Sequence, residues 1–349
     1  MNISLVGDIS LNDKYIELYK KGIDPFKELQ PILTKSEFVI GNLECMAKGN
    51  KGENELKKPR LTTTVETLKY LKNISLDVAC LAHNHVYDHL EDGFIRTIEF
   101  LKSNKIQFLG AGLSKDLASK PIILTKNKIT IGLLNYVTRD THPCIPDNAS
   151  VYLNYFDPVI AVKEIHELKN NVDHLVILLH WGGKVEGGLY PDFDQPVIAR
   201  ELINAGADLV IGHHSHTFQP YEIYKGKYIF YSLGNFCFSD FEFEGKNYIN
   251  PERRKITGIV NLQFTKSETL ISTMFFKNIV NQYEFYPGYH RKLKFRNFIF
   301  RKILKYYIFW MIYFFGKKYL LPLSQFIFRR DISTKQKVKR IIDSLKRRV

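Results

Sequence analysis

No apolar run in this sequence approaches the ~20 residues that a membrane-spanning helix needs, and no internal repeat divides it. Cysteine is scarce. Cys45, Cys80, Cys144 and Cys237 are widely spaced and form no CxxC pair, which sets aside the common thiol motifs for metal and redox chemistry. Three of them follow or interrupt apolar runs, where cysteine packs as a small apolar residue. The expectation is unpaired thiols in a reducing compartment. The first β-branched run begins right after Met1 and leaves no stretch for a cleavable leader, so a cytoplasmic location is expected. Net charge is also missing from most of the chain. The total is +14, yet 18 of the 50 Lys and Arg and only two of the 36 acids lie between His290 and Val349. That segment carries +16 and the remainder −2. The basic character therefore belongs to a tail and says nothing about the body.

What is present is an alternation of short β-branched runs with helix-period segments. Ile3–Val6, Phe38–Ile40, Val78–Leu81, Ile129–Leu134, Leu175–Leu179, Leu209–Ile211 and Tyr228–Tyr231 read as strands. Pro25–Thr34, Val65–Asn73, Asp92–Ser103, Pro158–Asn170 and Gln195–Ala205 read as helices between them. Such alternation predicts α/β layers. Runs apolar throughout, such as Leu175–Leu179, suit strands covered on both faces. Lys48–Lys58, rich in Gly and Lys, reads as an exposed loop, and Asp240–Lys255, charged and aromatic, as a closing segment or flap. Gly258–Phe264 and Leu270–Phe276 add two strands. The body is expected over residues 1–286 and a basic aromatic helical tail over 287–349.

Polar residues gather just after the strands. Asp8 follows the first, Asn42 and Glu44 the second, and Asn84, His85 and Asp88 the third. His180 and Trp181 follow Leu175–Leu179, His213 to His216 follow Leu209–Ile211, and Gly234-Asn235 follows Tyr228–Tyr231. In open α/β sheets ligands bind outside the carboxyl ends of strands. Taken singly, Asp8 could be a helix cap, His180 an interior histidine and Asn235 a turn residue. Six strands delivering such groups together point instead to a divalent metal site, since carboxylate, amide oxygen and imidazole are its donors. On an extended segment His214 and His216 would share one face and His213 and Ser215 the other. Glu44 has two oxygens with which to bridge two ions, and paired ions can hold the attacking and leaving oxygens of a phosphoryl transfer. His166 and His174 read as surface residues, His142 as a loop residue, and His89 and His290 have no evident partner.

Gly7-Asp8, Gly41-Asn42-Leu43-Glu44, Asn84-His85 with Asp88, His180-Trp181-Gly182, the run Gly206 to His214, and Tyr231 to Phe236 resemble the CapA family of capsule and poly-γ-glutamate synthesis proteins. That family is a branch of the calcineurin-like metallophosphoesterases. The resemblance covers about Ile3 to Asp240. It implies a four-layer α/β sandwich, two mixed sheets flanked by helices. It also implies one or two divalent ions of the Mn, Fe or Zn type. Asp8 and His216 would hold the first ion, Asn84, His180 and His214 the second, and Glu44 would bridge them. His85 would act as proton donor or charge stabiliser, oriented by Asp88, while Asn42, Trp181 and Asn235 would face substrate. The sequence departs from the pattern at Ser10, where a histidine is usual, and at His83, where an asparagine is usual. Glu186 and Tyr190 stand loosely for a displaced Glu-Tyr.

In the tail, the uncharged stretch Tyr306–Gly316 is 11 residues long and lies between Arg291–Arg301 and Lys317-Lys318. That is too short to span a bilayer and suits an element lying in its interface, with the bases drawn to anionic lipid. A buried helix with a solvated basic face is the plainer alternative. A basic patch without a recognised nucleic-acid fold is a weak sign of nucleic-acid binding. The expected function is a metal-dependent hydrolase of a phosphoester or related bond in capsule or surface-polymer synthesis, peripheral at the inner face of the cytoplasmic membrane. Its substrate would be an anionic polymer or a phosphoester. A non-catalytic polymer-binding or assembly subunit, and a nucleotide or nucleic-acid phosphoesterase, are the alternatives.

Overall fold

The structure, a computed structural model, describes residues 1–320. They fall into two compact units, Met1–Phe298 and the part of the tail from Ile299 onward. The first unit contains two mixed sheets. In the first, the strands run in the order Tyr283–Phe285, Thr269–Asn278, Ile256–Phe264, Asn2–Ile9, Phe38–Leu43, Val78–Cys80 and Gln107–Leu109, and Asn235–Cys237 also pairs with Asn2–Ile9. In the second, the order is Tyr221–Tyr224, Lys227–Phe230, Leu209–His213, His174–His180, Ile129–Val137 and Ile122–Lys126. In the first sheet Asn2–Ile9, Phe38–Leu43, Val78–Cys80 and the edge strand Gln107–Leu109 are parallel and the opposite side is antiparallel, while in the second sheet the central strands are parallel and both edges antiparallel. Parallel neighbours bring their carboxyl ends to one rim, which places Asp8, Asn42 and Glu44 in one sheet, and His180 and His213 in the other, along such a rim.

The period of two along each strand decides the layering. Ile3 and Leu5, with Ile40, Val78 and Leu109, face Ile131, Leu133, Val176, Leu178, Leu209 and Ile211 of the other sheet in one buried cluster. The alternate residues Val6, Val39 and Ala79 turn outward onto Leu68, Leu71, Phe94, Ile98 and Leu101. Helices Pro158–Lys169 and Gln195–Asn204 cover the second sheet; a side chain on Gly132 would press on Leu168 at 3.0 Å. The result is the expected sandwich of two mixed sheets between helices.

Strands Phe38–Leu43, His174–His180 and Leu209–His213 extend one to three residues beyond their apolar runs, because the rim residues Asn42, Leu43, His180 and His213 continue the ladders, whereas Val78–Cys80 and Lys227–Phe230 stop one residue short of theirs. The helix expected over Pro25–Thr34 shrinks to Gln30–Leu33. Four-residue strands such as Tyr221–Tyr224, and the helix Lys14–Lys20, carry too little pattern to be read in advance. The segment Asp240–Lys255 contains a hairpin of Phe241–Phe243 and Lys246–Tyr248. Lys48–Lys58 is not uniformly exposed: Asn54 and Lys57 are buried. The four cysteines are free thiols.

The first unit runs past the boundary drawn at residue 286. Tyr289 and Leu293, on the helix Tyr289–Lys302, sit in the inter-sheet cluster. Tyr289 OH and Arg296 Nη1 donate to the Phe218 carbonyl, at 3.2 and 3.3 Å, and Asn297 Oδ1 accepts from Tyr221 N at 3.0 Å. In the second unit, Tyr307–Phe315 is helical, with Tyr307, Ile308, Phe309, Ile312 and Phe315 exposed. Among the described residues no helix is long and apolar enough to cross a membrane. The nine tail bases from Arg329 onward lie outside the described residues.

Candidate metal centre

Glu44 is the pivot of the site. Its backbone N–H donates to Ile9 O at 2.8 Å, which ties it beside the end of strand Asn2–Ile9. Its side chain is fully buried, and neither carboxylate oxygen has a hydrogen-bond donor. Burial pushes its pKa well above the usual carboxylate range, and the nearby charge of Asp8 pushes the same way. A bare buried carboxylate costs several kcal/mol unless a cation or donor meets it. Histidines surround it: Oε1 lies 3.6 Å from His180 Nε2 and Oε2 lies 3.9 Å from His216 Nδ1.

Two donor sets share Glu44. In one, Glu44, His180 and His214 bring ligand atoms within 4.8 Å of one another; in the other, Asp8, Glu44 and His216 do the same. Asn84 Oδ1 joins the first, 3.0 Å from His180 Nε2. Burial, reinforced by neighbouring imidazoles, holds His180 well below the usual histidine pKa, and burial pushes His214 down to about 4. Both rings are therefore neutral near pH 7, the form in which imidazole binds metal. Asp8 behaves oppositely. Burial would raise it, but the nearby imidazoles of His213 and His216 and the Asn42 amide leave it below its ordinary value. The orphaned Glu44 and the oxygen–nitrogen donor set fit one or two divalent ions.

The local chain shape is unusual where the histidines sit. His214 and His216 have φ of 90° and 58°, so the expected extended segment is absent. Left-handed residues, costly for side chains other than glycine, turn both rings toward the centre instead. His213 then stands beside Asp8, Nδ1 to Oδ1 3.3 Å, where the alternation rule had sent it to the opposite face. Gly7 permits the approach of Asn235, since a Cβ there would lie 1.9 Å from the Gly234 carbonyl oxygen.

His85 and Asp88 form a buried pair, Nδ1 to Oδ2 2.6 Å. Burial keeps the imidazole of His85 well below its usual pKa and lifts Asp88 to about 7. Asp88 also accepts from Leu61 N at 2.7 Å. The three residues expected to face substrate do other work. Asn42 Nδ2 donates to Asp8 Oδ1 at 2.9 Å and sits 3.3 Å from His180 Nδ1, so it orients those two side chains. Asn235 Oδ1 lies 2.9 Å from His216 Nδ1 and orients that ring. Trp181 is 1% exposed, stacks on Tyr231 and donates to its carbonyl at 3.0 Å, which leaves no face for a ligand. Ser10 Oγ donates to Asn12 Oδ1 at 3.0 Å. His83 is fully buried, with Nε2 unpaired. His174, expected at the surface, is buried against Phe264, and buried His89 bonds the Leu61 carbonyl.

A cleft of about 440 Å³ opens over the centre, lined among others by Asn84, His85, His214, His216, Lys57 and Arg254. Hairpin residues Phe241, Asn247 and Tyr248 form one wall. Lys57 and Arg254 are the contributors that sequence reasoning missed, one in an unpatterned loop and one in a charged segment, while Glu186, a loose candidate there, does line the cleft.

Facing mixed sheets between helices, with paired carboxylate–imidazole sets at their rim, define an α/β sandwich domain with a candidate metal site. The chain belongs to the family described as "Bacterial capsule synthesis protein PGA_cap", whose profile matches residues 2–240. It is 35% identical over 244 residues to the PGA biosynthesis protein CapA of Bacillus subtilis (strain 168), covering 68% of this chain and 63% of that protein. It is 29% identical over 247 residues to the capsule biosynthesis protein CapA of Bacillus anthracis, covering 68% and 60%. The chain thus spans less than two thirds of the length of these relatives. Among solved structures it is similar to a putative 5'-nucleotidase from Staphylococcus aureus, with 14% identity and a TM-score of 0.48 over 78% of this chain and 53% of that one.

Proposed function

We propose that this protein is a divalent-metal-dependent hydrolase, cleaving a phosphoester or related bond in the synthesis of a capsule or surface polymer. The observation that carries the reading is the fully buried Glu44 carboxylate, without a hydrogen-bond donor, shared by two histidine-containing donor sets. Glu44, Asn84, His180 and His214 would hold one ion, and Asp8, Glu44 and His216 a second. Bound there, such ions would polarise the scissile group and lower the pKa of a water. The remaining work falls to the chain. Asn42 and Asn235 fix the rings of His180 and His216, as partners behind metal ligands do. Asp88 holds His85 by Nδ1 and leaves the other ring nitrogen for the cleft that His85 lines. From there His85 can stabilise charge on a leaving group or supply its proton. The test is metal stoichiometry of the purified chain, together with turnover of a generic phosphodiester, for wild type and for His180→Ala with His214→Ala. Equal metal content in both proteins sinks the assignment. Full metal content without any hydrolysis favours a non-catalytic polymer-binding subunit.

We further propose that the tail holds the protein at the anionic inner face of the cytoplasmic membrane. The exposed aromatic and aliphatic residues of helix Tyr307–Phe315 supply apolar area, and flanking bases add about 1 kcal/mol each near anionic lipid. Flotation with anionic vesicles should carry the full chain but not a chain ending after Phe298. Full-length protein that stays unbound at low salt refutes the proposal.

A further inference from the structure

Lys57 is 5% exposed and lines the cleft over the metal centre. Among the described residues no carboxylate lies within 4.0 Å of its ammonium, whose hydrogen bond runs to the His142 carbonyl at 2.9 Å. A buried ammonium with one neutral acceptor has two N–H groups to spare and is costly to keep. The loop that carries it is fastened. Arg60 Nη1 donates to the carbonyls of Lys57 and Asn54, at 3.0 and 3.1 Å. Asn54 N in turn donates to the Asp88 carbonyl at 2.9 Å. Lys57 is thus held in place beside the His85–Asp88 pair.

Arg254 stands in the lining of the same cleft. Its carbonyl accepts from Asn235 Nδ2 at 3.2 Å, and its Nη2 donates to Glu186 Oε1 at 3.0 Å. Its Nε is buried without a partner. Two fixed cations therefore line a cleft of about 440 Å³: Lys57, without a carboxylate within 4.0 Å among the described residues, and Arg254, which shares its charge with Glu186 of the same lining. Lys58 does not belong with them, because its side chain is 59% exposed.

We propose that Lys57 and Arg254 form a cationic subsite that takes an oxyanion of the substrate, a carboxylate or a phosphate, next to the bond positioned at the metal centre. This rests on the hydrolase reading for the word substrate, while the subsite itself can be tested without turnover. Preorganised donors of this kind bind an oxyanion through charge-assisted hydrogen bonds.

The experiment is calorimetric titration of the full chain, metal-free and metal-loaded, with three probes: a γ-linked tri-glutamate, inorganic phosphate, and the neutral tri-glutamine analogue. Wild type should bind at least one anionic probe and not the neutral one. Preference for the peptide identifies a carboxylate ligand, and preference for phosphate a phosphate ligand. Lys57→Met should weaken that binding about 10-fold or more with metal content unchanged, and Lys57→Arg should restore much of it. Should Lys57→Met fail to fold, Arg254→Gln is read the same way. Equal affinity in wild type and variant, or no preference for the anions, overturns the subsite. Anion binding that depends on Lys57 in a protein that takes up no metal keeps the subsite and refutes the hydrolase reading instead.

Discussion

Asp208 and Glu44 are both carboxylates with little or no exposed side chain, one at each end of the parallel strands. Asp208 precedes strand Leu209–His213. It accepts from Lys169 Nζ at 2.6 Å, Lys227 Nζ at 2.5 Å and Leu175 N at 2.9 Å. Burial would raise its pKa, but those donors leave it below the ordinary value. Glu44, after strand Phe38–Leu43, receives no hydrogen bond, and its pKa stands well above the ordinary value. The chemical group is the same, and its donors decide its role. At the amino ends of the strands the fold completes its carboxylate and gains an anchor. At the carboxyl ends it leaves one incomplete, a state that a bound cation would relieve.

That contrast predicts unequal losses of metal. Glu44→Gln should empty both sites, because both donor sets contain Glu44. His216→Ala should remove one ion and leave the other, and Asp208→Asn should leave both. Elemental analysis of the purified variants decides the matter; Glu44→Gln protein with wild-type metal content would dissolve the contrast. The next largest effect is on chemistry. His85→Ala should lower turnover by about 10²- to 10⁴-fold, the usual scale for a general acid or base, with metal retained. Loss of metal would instead make His85 a ligand.

The stability of the metal-free protein should then move in opposite directions. Glu44→Gln removes a group that is costly to ionise in place and should stabilise by about 1–3 kcal/mol. Asp208→Asn strips two ammonium groups and a backbone amide of their anion and should cost about 1–2 kcal/mol. Denaturant unfolding of both variants without metal measures this. The same sign for both would mean that the missing donors around Glu44 carry no energetic weight.

The rim was readable in the sequence because it depends on two local facts: apolar runs mark strands, and polar residues follow them at once. Asp8, Glu44, Asn84, His180, His214 and His216 are brought together by strand ends that the pattern located. What the pattern missed depends on contacts across the chain or on backbone shape. His213 reaches Asp8 because the next turns have positive φ. Lys57 sits in a lysine-rich loop that composition reads as solvated, and it is buried because Arg60 and Asp88 fold that loop inward. Trp181 and Asn42 stand within the motifs, and nothing in a linear string says whether a side chain next to a candidate ligand faces the cleft or supports it.

The smallest and most discriminating effect is the pH dependence of stability without metal. Asp208 has a folded pKa below its unfolded value of about 3.9, so its contribution is present above that value and is lost as pH falls through the folded pKa. Glu44 is the reverse. Below about pH 4.3 the carboxyl is protonated folded or unfolded and costs nothing. Above it the unfolded chain releases its proton while the folded chain keeps one, so stability falls as pH rises until the folded group ionises. Asp88, at about 7, and Asp192, at about 6, tilt the curve the same way, so a slope in wild type alone proves little. The difference between proteins is what tells. Thermal unfolding of metal-free Glu44→Gln should decline less steeply than wild type on raising the pH from mildly acidic to neutral. Asp208→Asn should keep that decline and lose part of the acid limb. Saturating metal should flatten the neutral limb of wild type, because a cation replaces the proton on Glu44. If wild type and Glu44→Gln have parallel curves from acid to neutral pH, Glu44 is not the strained carboxylate that the contrast requires.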